Sequence, residues 1–223
     1  MKKIGIIICK SLLGFIFCAF AIVMALKSNL GLSPWDVFHQ GLSNKTGITI
    51  GQANIIVGII VVIITVLLKL EIGVGTIANM TLIGIFIDII NNAGIIPEST
   101  NLFSGVLMLI CSLFMMAIGS CLYIGCCLGC GPRDGLMIAL VRITGKPVGV
   151  IRFCIELGVL VIGWMLGGTV GIGTLITVVF LGYFIQLVFK IFKLNVNDLK
   201  HKNIKEFFEL LNKNQVKSKQ IDY

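Results

Sequence analysis

A cluster of Gly, Pro and Asp residues occurs twice in this chain of 223 residues, at an offset of 98 positions. The copies are Gly31-Leu32-Ser33-Pro34-Trp35-Asp36 and Gly129-Cys130-Gly131-Pro132-Arg133-Asp134. The same offset aligns residues 30–87 with residues 128–185 without a gap and with seventeen identities, many of them Gly, Pro, Asp or Thr. A shared apolar composition does not produce matches of this kind, so we infer an internal duplication.

The composition is that of a membrane protein. The chain is 57% hydrophobic and 13% charged, whereas about 25% of the residues in a soluble domain are charged. Six stretches have the roughly 20 apolar residues that a transmembrane helix needs. They cover residues 4–26, 51–69, 74–95, 102–125, 148–166 and 172–192. The sequence therefore predicts an all-α polytopic protein whose solvent is the lipid bilayer.

Each copy of the duplication contains three of these spans. The first repeat covers residues 1–97 and the second covers residues 98–192, while residues 193–223 form a basic tail. Because three is an odd number, the second repeat enters the membrane from the opposite side to the first. The span count therefore predicts an inverted repeat.

The distribution of Lys and Arg predicts the orientation. With the N-terminus in the cytoplasm, the outer segments hold only Lys27 and Lys45, and the inner segments hold the other cations of the loops and tail. The positive-inside rule then places both termini in the cytoplasm. Eight Lys from Lys190 onward would bind anionic lipid headgroups. The net charge of +8 thus reflects topology, and we expect no nucleic acid partner.

Each Gly-Pro-Asp cluster has the residues of a helix start. Ser33 or Gly131 suits the N-cap, Pro34 or Pro132 suits the first helical position, and Asp36 or Asp134 occupies the third, as in a capping box. Gly47 and Gly145 suit left-handed C-terminal caps. The pattern predicts short helices over 33–46 and 131–144, each following the first span of its repeat and too short to cross the membrane.

Two interpretations of these short helices stay open. If they dip into the membrane from opposite sides, their positive N-termini point at one region and form a solute site. The residues of that site would be Ser33, Pro34, Asp36, Pro132, Arg133 and Asp134. Alternatively, the clusters only cap helices, and the duplication has preserved residues that pack well.

Ionisable residues within the spans are functional candidates because charge is costly in lipid. Arg152 and Glu156 are four residues apart and would form an ion pair. Glu156, Arg152 and Asp88 could couple transport to a proton or cation, or the Arg152–Glu156 pair could serve packing alone. For His39 we expect a surface or hydrogen-bonded position in place of a proton relay.

The remaining motifs indicate packing. Cys126, Cys127 and Cys130 have no second Cys or His pair to complete four metal ligands, so we expect small packing residues and neither metal nor cofactor. The Gly163-x-x-x-Gly167-x-x-x-Gly171 run suits close helix approach. That approach would occur within one chain or in a homodimer.

The two clusters carry a family resemblance. Residues 30–43, residues 129–137 and the paired Gly-x-Gly-Thr motifs resemble the YczE/YyaS/YitT group of bacterial integral membrane proteins, and most of all its YczE branch. The resemblance covers residues 4–192, although Cys130 stands where the group suggests a smaller residue such as alanine. It implies a multi-pass protein of the bacterial plasma membrane.

Two functions from different classes fit these features. The first is a small inverted-repeat transporter or permease for a small polar or anionic solute. The second is a membrane scaffold or regulator whose basic tail engages a cytoplasmic partner or lipid. We do not expect an enzyme, because the chain has no Gly-x-Ser-x-Gly elbow, no His-Glu-x-x-His motif and no phosphate-binding loop.

Overall fold

The structure is a computed structural model that describes residues 2–194. Most of the predicted basic tail, from residue 195 onward, therefore lies outside the described residues. Within them the chain is all-helical, with no strand. The eight helices are α1 (Lys2–Lys27), α2 (Pro34–Thr46), α3 (Ile50–Leu67), α4 (Val74–Asn92), α5 (Leu102–Ile124), α6 (Pro132–Thr144), α7 (Val148–Met165) and α8 (Ile172–Ile191).

Six of the eight helices are long and apolar enough to cross a membrane, which confirms the predicted number of spans. They are α1, α3, α4, α5, α7 and α8. Large apolar side chains such as Leu67, Phe103 and Trp164 remain exposed on their outer surfaces. Because a water-soluble protein rarely exposes continuous apolar surface of this extent, these faces fit contact with lipid.

The two short helices begin at Pro34 and Pro132 and end before Gly47 and Gly145. Both glycines adopt the left-handed conformation, with φ of 75° and 66°, which terminates a helix at little cost in glycine. The expected capping box at Ser33 does not form. Its hydroxyl makes no bond to the helix backbone and donates instead to Asp36 Oδ2, at 2.5 Å.

We call two residues equivalent when they are 98 positions apart. The ends of α2 and α6 are equivalent, and so are the ends of α3 and α7. The packing follows the same scheme: α1 packs on α4 and α5 packs on α8. Across the halves, α1 packs on α5, α2 packs on α7, and α6 packs on α3.

The loop before each short helix binds the start of a long helix in the other half. Gly173 N–H donates to the carbonyl of Leu30 at 2.7 Å, and Gly75 N–H donates to the carbonyl of Leu128 at 2.8 Å. Leu30 is equivalent to Leu128 and Gly75 is equivalent to Gly173. Each bond therefore joins the same two equivalent positions, with the donor in one half and the acceptor in the other. Reciprocal contacts of this kind are characteristic of a twofold relation.

Gly31 and Gly129 make that reciprocal contact sterically feasible. Their φ angles are +112° and +128°, values that other residues adopt only with strain. A Cβ atom on Gly31 would lie 2.6 Å from the backbone nitrogen of Gly171, and one on Gly129 would lie 2.8 Å from Gly73 Cα. The repeated Gly residues of the clusters and of the Gly-x-Gly-Thr motifs therefore permit close backbone approach between the halves.

The two halves differ in one packing relationship. Helix α3 packs along α4, whereas the equivalent helices α7 and α8 have no such packed interface. A gap consequently runs between α7 and α8. This asymmetry positions the cavity described below.

Part of the Gly163-x-x-x-Gly167-x-x-x-Gly171 run, which begins in α7, packs within the chain. A Cβ atom on Gly163 would lie 2.5 Å from the backbone nitrogen of Phe38 in α2, and one on Gly171 would contact the carbonyl of Leu30. The sequence predicted close helix approach either within one chain or in a homodimer. Packing within one chain accounts for Gly163 and Gly171.

Candidate functional site

A cavity of about 520 Å³ lies between the two halves. Its volume falls within the range of small-molecule sites in proteins, roughly 300–1,000 Å³. Seven of the nine residues that the sequence proposed for a solute site or for coupling line it: Ser33, Pro34, Pro132, Arg133, Asp134, Arg152 and Glu156. The structure thus brings the starts of both short helices to one region.

Arg133 and Trp35 contact each other across this region. The guanidinium carbon of Arg133 lies 5.1 Å from the centroid of the Trp35 ring, a distance at which a cation is attracted to an aromatic face. Trp35 is buried, whereas 37% of the Arg133 side chain remains exposed. Arg133 can therefore contact both the protein and a solute in the cavity.

Asp36 lies behind the cavity wall and is only 3% exposed. Its Oδ2 accepts from the Ser33 hydroxyl, and its Oδ1 lies 3.6 Å from both Arg133 Nη2 and His39 Nδ1. Burial on its own raises the pKa of Asp36, but His39, Arg133 and Ser33 together lower it below its usual value. The carboxylate is therefore ionised and links α2 to α6.

His39 is buried, so the expected surface position was wrong, and its Nδ1 lies 3.6 Å from Asp36 Oδ1. It is 1% exposed, it lines the cavity, and its Nδ1 is among the buried polar atoms without a hydrogen-bond partner. Burial lowers the pKa of His39, so the ring is neutral at neutral pH. The sequence missed this position because a lone histidine on a short helix carries no periodic signal.

Arg152 and Glu156 form the ion pair that their spacing indicates. Arg152 Nε donates to Glu156 Oε1 at 3.0 Å, and the side chains are 56% and 26% exposed. Both residues line the cavity where it meets the gap between α7 and α8. Their equivalents, Asn54 and Gly58, line it on α3.

Asp88 lies outside the cavity lining. Its carboxylate accepts from the Thr49 hydroxyl at 2.5 Å and from Gly51 N–H at 2.9 Å, both at the start of α3. A side chain of α4 thus ties the end of α4 to the start of α3. Its coupling role remains a prediction.

Several polar residues of the lining were not identified from the sequence. They are Asn79, Ser120, Tyr123, Thr177 and Gln186. Asn79 is equivalent to Thr177, and Gln186 is equivalent to Asp88. Polar residues at equivalent positions within apolar spans were the signal that could have found Asn79, Thr177 and Gln186. The rest of the lining is mainly apolar, including Ile83, Met116 and Leu181.

The cysteine cluster follows α5 and contacts backbone. Cys126 Sγ donates to the carbonyls of Leu122 and Ile7. The carbonyl of Cys130 accepts from the Thr76 hydroxyl at 2.6 Å. Burial raises the pKa of the Cys130 thiol, which disfavours the reactive thiolate. These contacts agree with packing roles.

Comparison with known proteins agrees with the resemblance. An uncharacterized membrane protein of Bacillus subtilis, YczE, is 34% identical over 175 residues, which is 78% of this chain and 80% of the relative. An uncharacterized protein of Haemophilus influenzae is 34% identical over 164 residues, which is 74% of each chain. YyaS of Bacillus subtilis is 28% identical over 172 residues, which is 74% of this chain and 84% of the relative.

No solved structure matches this chain. The family match covers residues 5–190, which include all six spans and both short helices. On that match, the chain belongs to the family of unknown function DUF6198, and its identity to YczE supports a YczE-like membrane protein.

Proposed function

We propose that this protein is a membrane transporter or permease for a small polar solute, which includes small anions. The observation that carries the proposal is the cavity of about 520 Å³ that contains the starts of both short helices. Helix N-termini aimed at a shared cavity are a recurring way of building solute sites in transporters. Arg133 is the cation that would hold an anionic part of the solute, because it lies in the first turn of α6 and 37% of its side chain is exposed.

The proposal includes an inverted relation between the halves. Three spans per half and the reciprocal bonds of Leu30 and Leu128 support it. It also includes the plasma membrane of a bacterium, with both termini in the cytoplasm, as the distribution of Lys and Arg favours.

In that orientation the cavity opens toward the cytoplasm. Helix α7 begins and α8 ends at the inner face, and the lining includes Arg152 near the start of α7 and Gln186 near the end of α8. On the α3 and α4 side the helices are packed together. The described conformation is therefore the inward-facing one of the proposed transporter.

Accessibility of the cavity from the two sides of the membrane tests the proposal. Single cysteines would replace Met137 in α6 and Ser120 in α5, which both line the cavity, in a variant without native cysteines. Membrane-impermeant methanethiosulfonate reagents would be added to either side of right-side-out and inside-out vesicles. A transporter is expected to react from both sides at both positions.

Val37 provides the matched control. It lies in α2 beside Asp36, is fully buried, and is absent from the cavity lining, so Val37→Cys should not react from either side. Reaction of Met137→Cys and Ser120→Cys from one side only, under every condition, would contradict the proposal. That outcome would favour a scaffold or regulator acting through the basic tail.

A further inference from the structure

Three hydrogen bonds join α3 to α4. Asp88 accepts from Thr49 and from Gly51 N–H at the start of α3, and Asn54 Nδ2 donates to the carbonyl of Met80 at 3.1 Å. We call the bonds of Asp88 to Thr49 and Gly51 the α3–α4 clasp. It is the feature that holds this pair of helices together at the end where α3 begins.

Two glycines allow α3 and α4 to approach at the clasp. A Cβ atom on Gly51 would contact the carbonyl oxygen of Gly84, and one on Gly84 would lie 2.6 Å from the carbonyl oxygen of Gly51. Real Cβ atoms do not come so close to backbone, because cores are packed to the van der Waals limit. Glycine is therefore required at both positions in the packed pair.

The equivalent positions in the second half are also glycines, but nothing surrounds them. Gly149 in α7 and Gly182 in α8 have no heavy atom within 4 Å of an added Cβ. In the described conformation no packing reason requires glycine at either position, and glycine within a helix destabilises it by about 1 kcal/mol relative to alanine. Both glycines nevertheless recur at an offset of 98 residues from Gly51 and Gly84.

Gln186 is the equivalent of the clasp residue Asp88. It is exposed, it lines the cavity, and it makes no hydrogen bond with any described residue. Its side-chain carbonyl is an acceptor of the kind that binds Gly51 N–H in the first half. Gly149, in the first turn of α7, has a backbone N–H without a partner in its own helix.

We propose that α7 and α8 close on each other in a second conformation, in which Gln186 accepts from Gly149 N–H and Gly149 packs on Gly182. This inference rests on the proposed function, because closing the gap would seal the inward opening of the cavity. In that conformation the α3–α4 clasp opens, and the cavity becomes accessible between α3 and α4. Asp88 and Gln186 are then the gate residues of the two sides.

Glu156 limits how closely α7 and α8 approach at the middle of the pair. Its equivalent, Gly58, is so close to α4 that a Cβ atom there would lie 2.7 Å from Met80 Cβ. In the closed pair, Glu156 would place a Cβ and a longer side chain against Val178, which is the equivalent of Met80. Overpacking of this kind opposes closure, so the side chain of Glu156 favours the open conformation.

Disulfide crosslinking tests the closure directly. Pro147→Cys and Gln186→Cys, whose equivalents Thr49 and Asp88 are in contact in the packed half, would be combined in a variant without native cysteines, reconstituted in liposomes, and oxidised with copper phenanthroline. We expect an intramolecular crosslink that forms with time and is detected by mass spectrometry of peptides. In the same background, Glu156→Gly should raise the crosslinking rate about fivefold or more, since it removes the overpacked side chain.

Two control variants keep the result specific. Val150→Cys with Gln186→Cys places the first thiol on an exposed neighbouring position of α7, and this pair should crosslink much more slowly. Leu157→Gly introduces a glycine on an exposed position of α7, and it should leave the crosslinking rate unchanged. If Glu156→Gly acted only by weakening the helix, Leu157→Gly would raise the rate as well.

Each outcome bears on the inference separately from the proposed function. Absence of the 147–186 crosslink, or a crosslink only between two copies of the chain, would overturn the closure even if cavity cysteines react from both sides. A crosslink in a protein whose cavity cysteines react from one side only would support the closure and contradict the transporter. An unchanged rate in Glu156→Gly would overturn the role assigned to Glu156.

Discussion

The guanidinium of Arg133 lies over the indole ring of Trp35, and these two residues occupy equivalent positions in the two halves. Residues that are related by a twofold rotation and also contact each other must lie close to the rotation axis. Under the proposed inverted relation of the halves, the contact lies near the twofold axis, where the starts of α2 and α6 meet. The sequences differ there, and Trp and Arg form a complementary pair that two identical residues would not form.

The first prediction concerns the contact of Arg133 with Asp36. We expect Arg133→Gln to lower the free energy of unfolding by about 1–3 kcal/mol, because it leaves the buried Asp36 carboxylate with one fewer cationic neighbour. Arg133→Lys should lower the free energy of unfolding by a smaller amount, because lysine keeps the charge but lacks the planar guanidinium that stacks on Trp35. Thermal unfolding in detergent measures both. Arg142→Gln, at an exposed position of the same helix, is the control and should change stability by less than about 0.5 kcal/mol.

The second prediction concerns the reciprocal loop contacts. Gly31→Ala and Gly129→Ala should each strongly reduce the yield of monodisperse protein, because the added Cβ atom meets backbone of the opposite half. Gly47→Ala shares the positive φ but has no atom within 4 Å of its Cβ. It should therefore lose only about 1–2 kcal/mol of stability. Size-exclusion chromatography measures the yield, and equal behaviour of the three variants would contradict this account.

The third prediction is a pH dependence of stability. Burial lowers the pKa of His39 below its ordinary value of 6.5, so the unfolded chain binds a proton more readily than the folded protein does. The contribution of neutral His39 to the free energy of unfolding is therefore fully present above pH 6.5. The free energy of unfolding falls as the pH decreases below 6.5, by up to about 1.4 kcal/mol per pH unit. The pKa of Asp36 lies below 3.8, so this carboxylate does not titrate in that range.

Thermal unfolding between pH 7.5 and pH 5.5 measures this dependence. His39→Gln should flatten the profile, because glutamine does not titrate. His201→Gln, which changes the other histidine of the sequence, should preserve the profile of the unmodified protein. A profile that His39→Gln leaves unaltered would show that another group causes the loss of stability.

The fourth prediction concerns the strength of the Arg152–Glu156 pair. More than half of the Arg152 side chain is exposed, so a double-mutant cycle with Arg152→Gln and Glu156→Gln should give a coupling energy of about 0.3–0.5 kcal/mol. Unfolding in detergent provides the four free energies. A coupling above about 2 kcal/mol would contradict this prediction and would mean that the pair contributes to the stability of the fold.

Much of the fold could be predicted because it depends on local and additive properties. Six apolar stretches of sufficient length predict six spanning helices, since lipid requires each span to satisfy its own backbone hydrogen bonds. Pro34 and Pro132 predicted the starts of the short helices, and Gly47 and Gly145 predicted their ends, because these residues have narrow conformational preferences. The inverted orientation of the halves stays a prediction that rests on the span count.

The site was predicted less completely. The cluster residues reach one cavity, but the sequence assigned the Ser33 hydroxyl to the helix backbone, whereas it bonds Asp36. It also gave no reason to bury His39 against that carboxylate. Such contacts depend on which side chains of distant segments compete for the same polar atom, and a propensity for one position does not contain that information.

By itself, the sequence predicted that the chain crosses a membrane, that it contains an internal duplication, and where its two short helices begin and end. These properties follow from hydrophobic length, repetition and the backbone preferences of Gly and Pro. Only the tertiary structure decided that Trp35 meets Arg133, that α3 and α4 are packed, and that α7 and α8 are apart. Equivalent sequences do not have to adopt equivalent packing, because Asp88 binds Gly51 in one half while Gln186 faces an open cavity in the other.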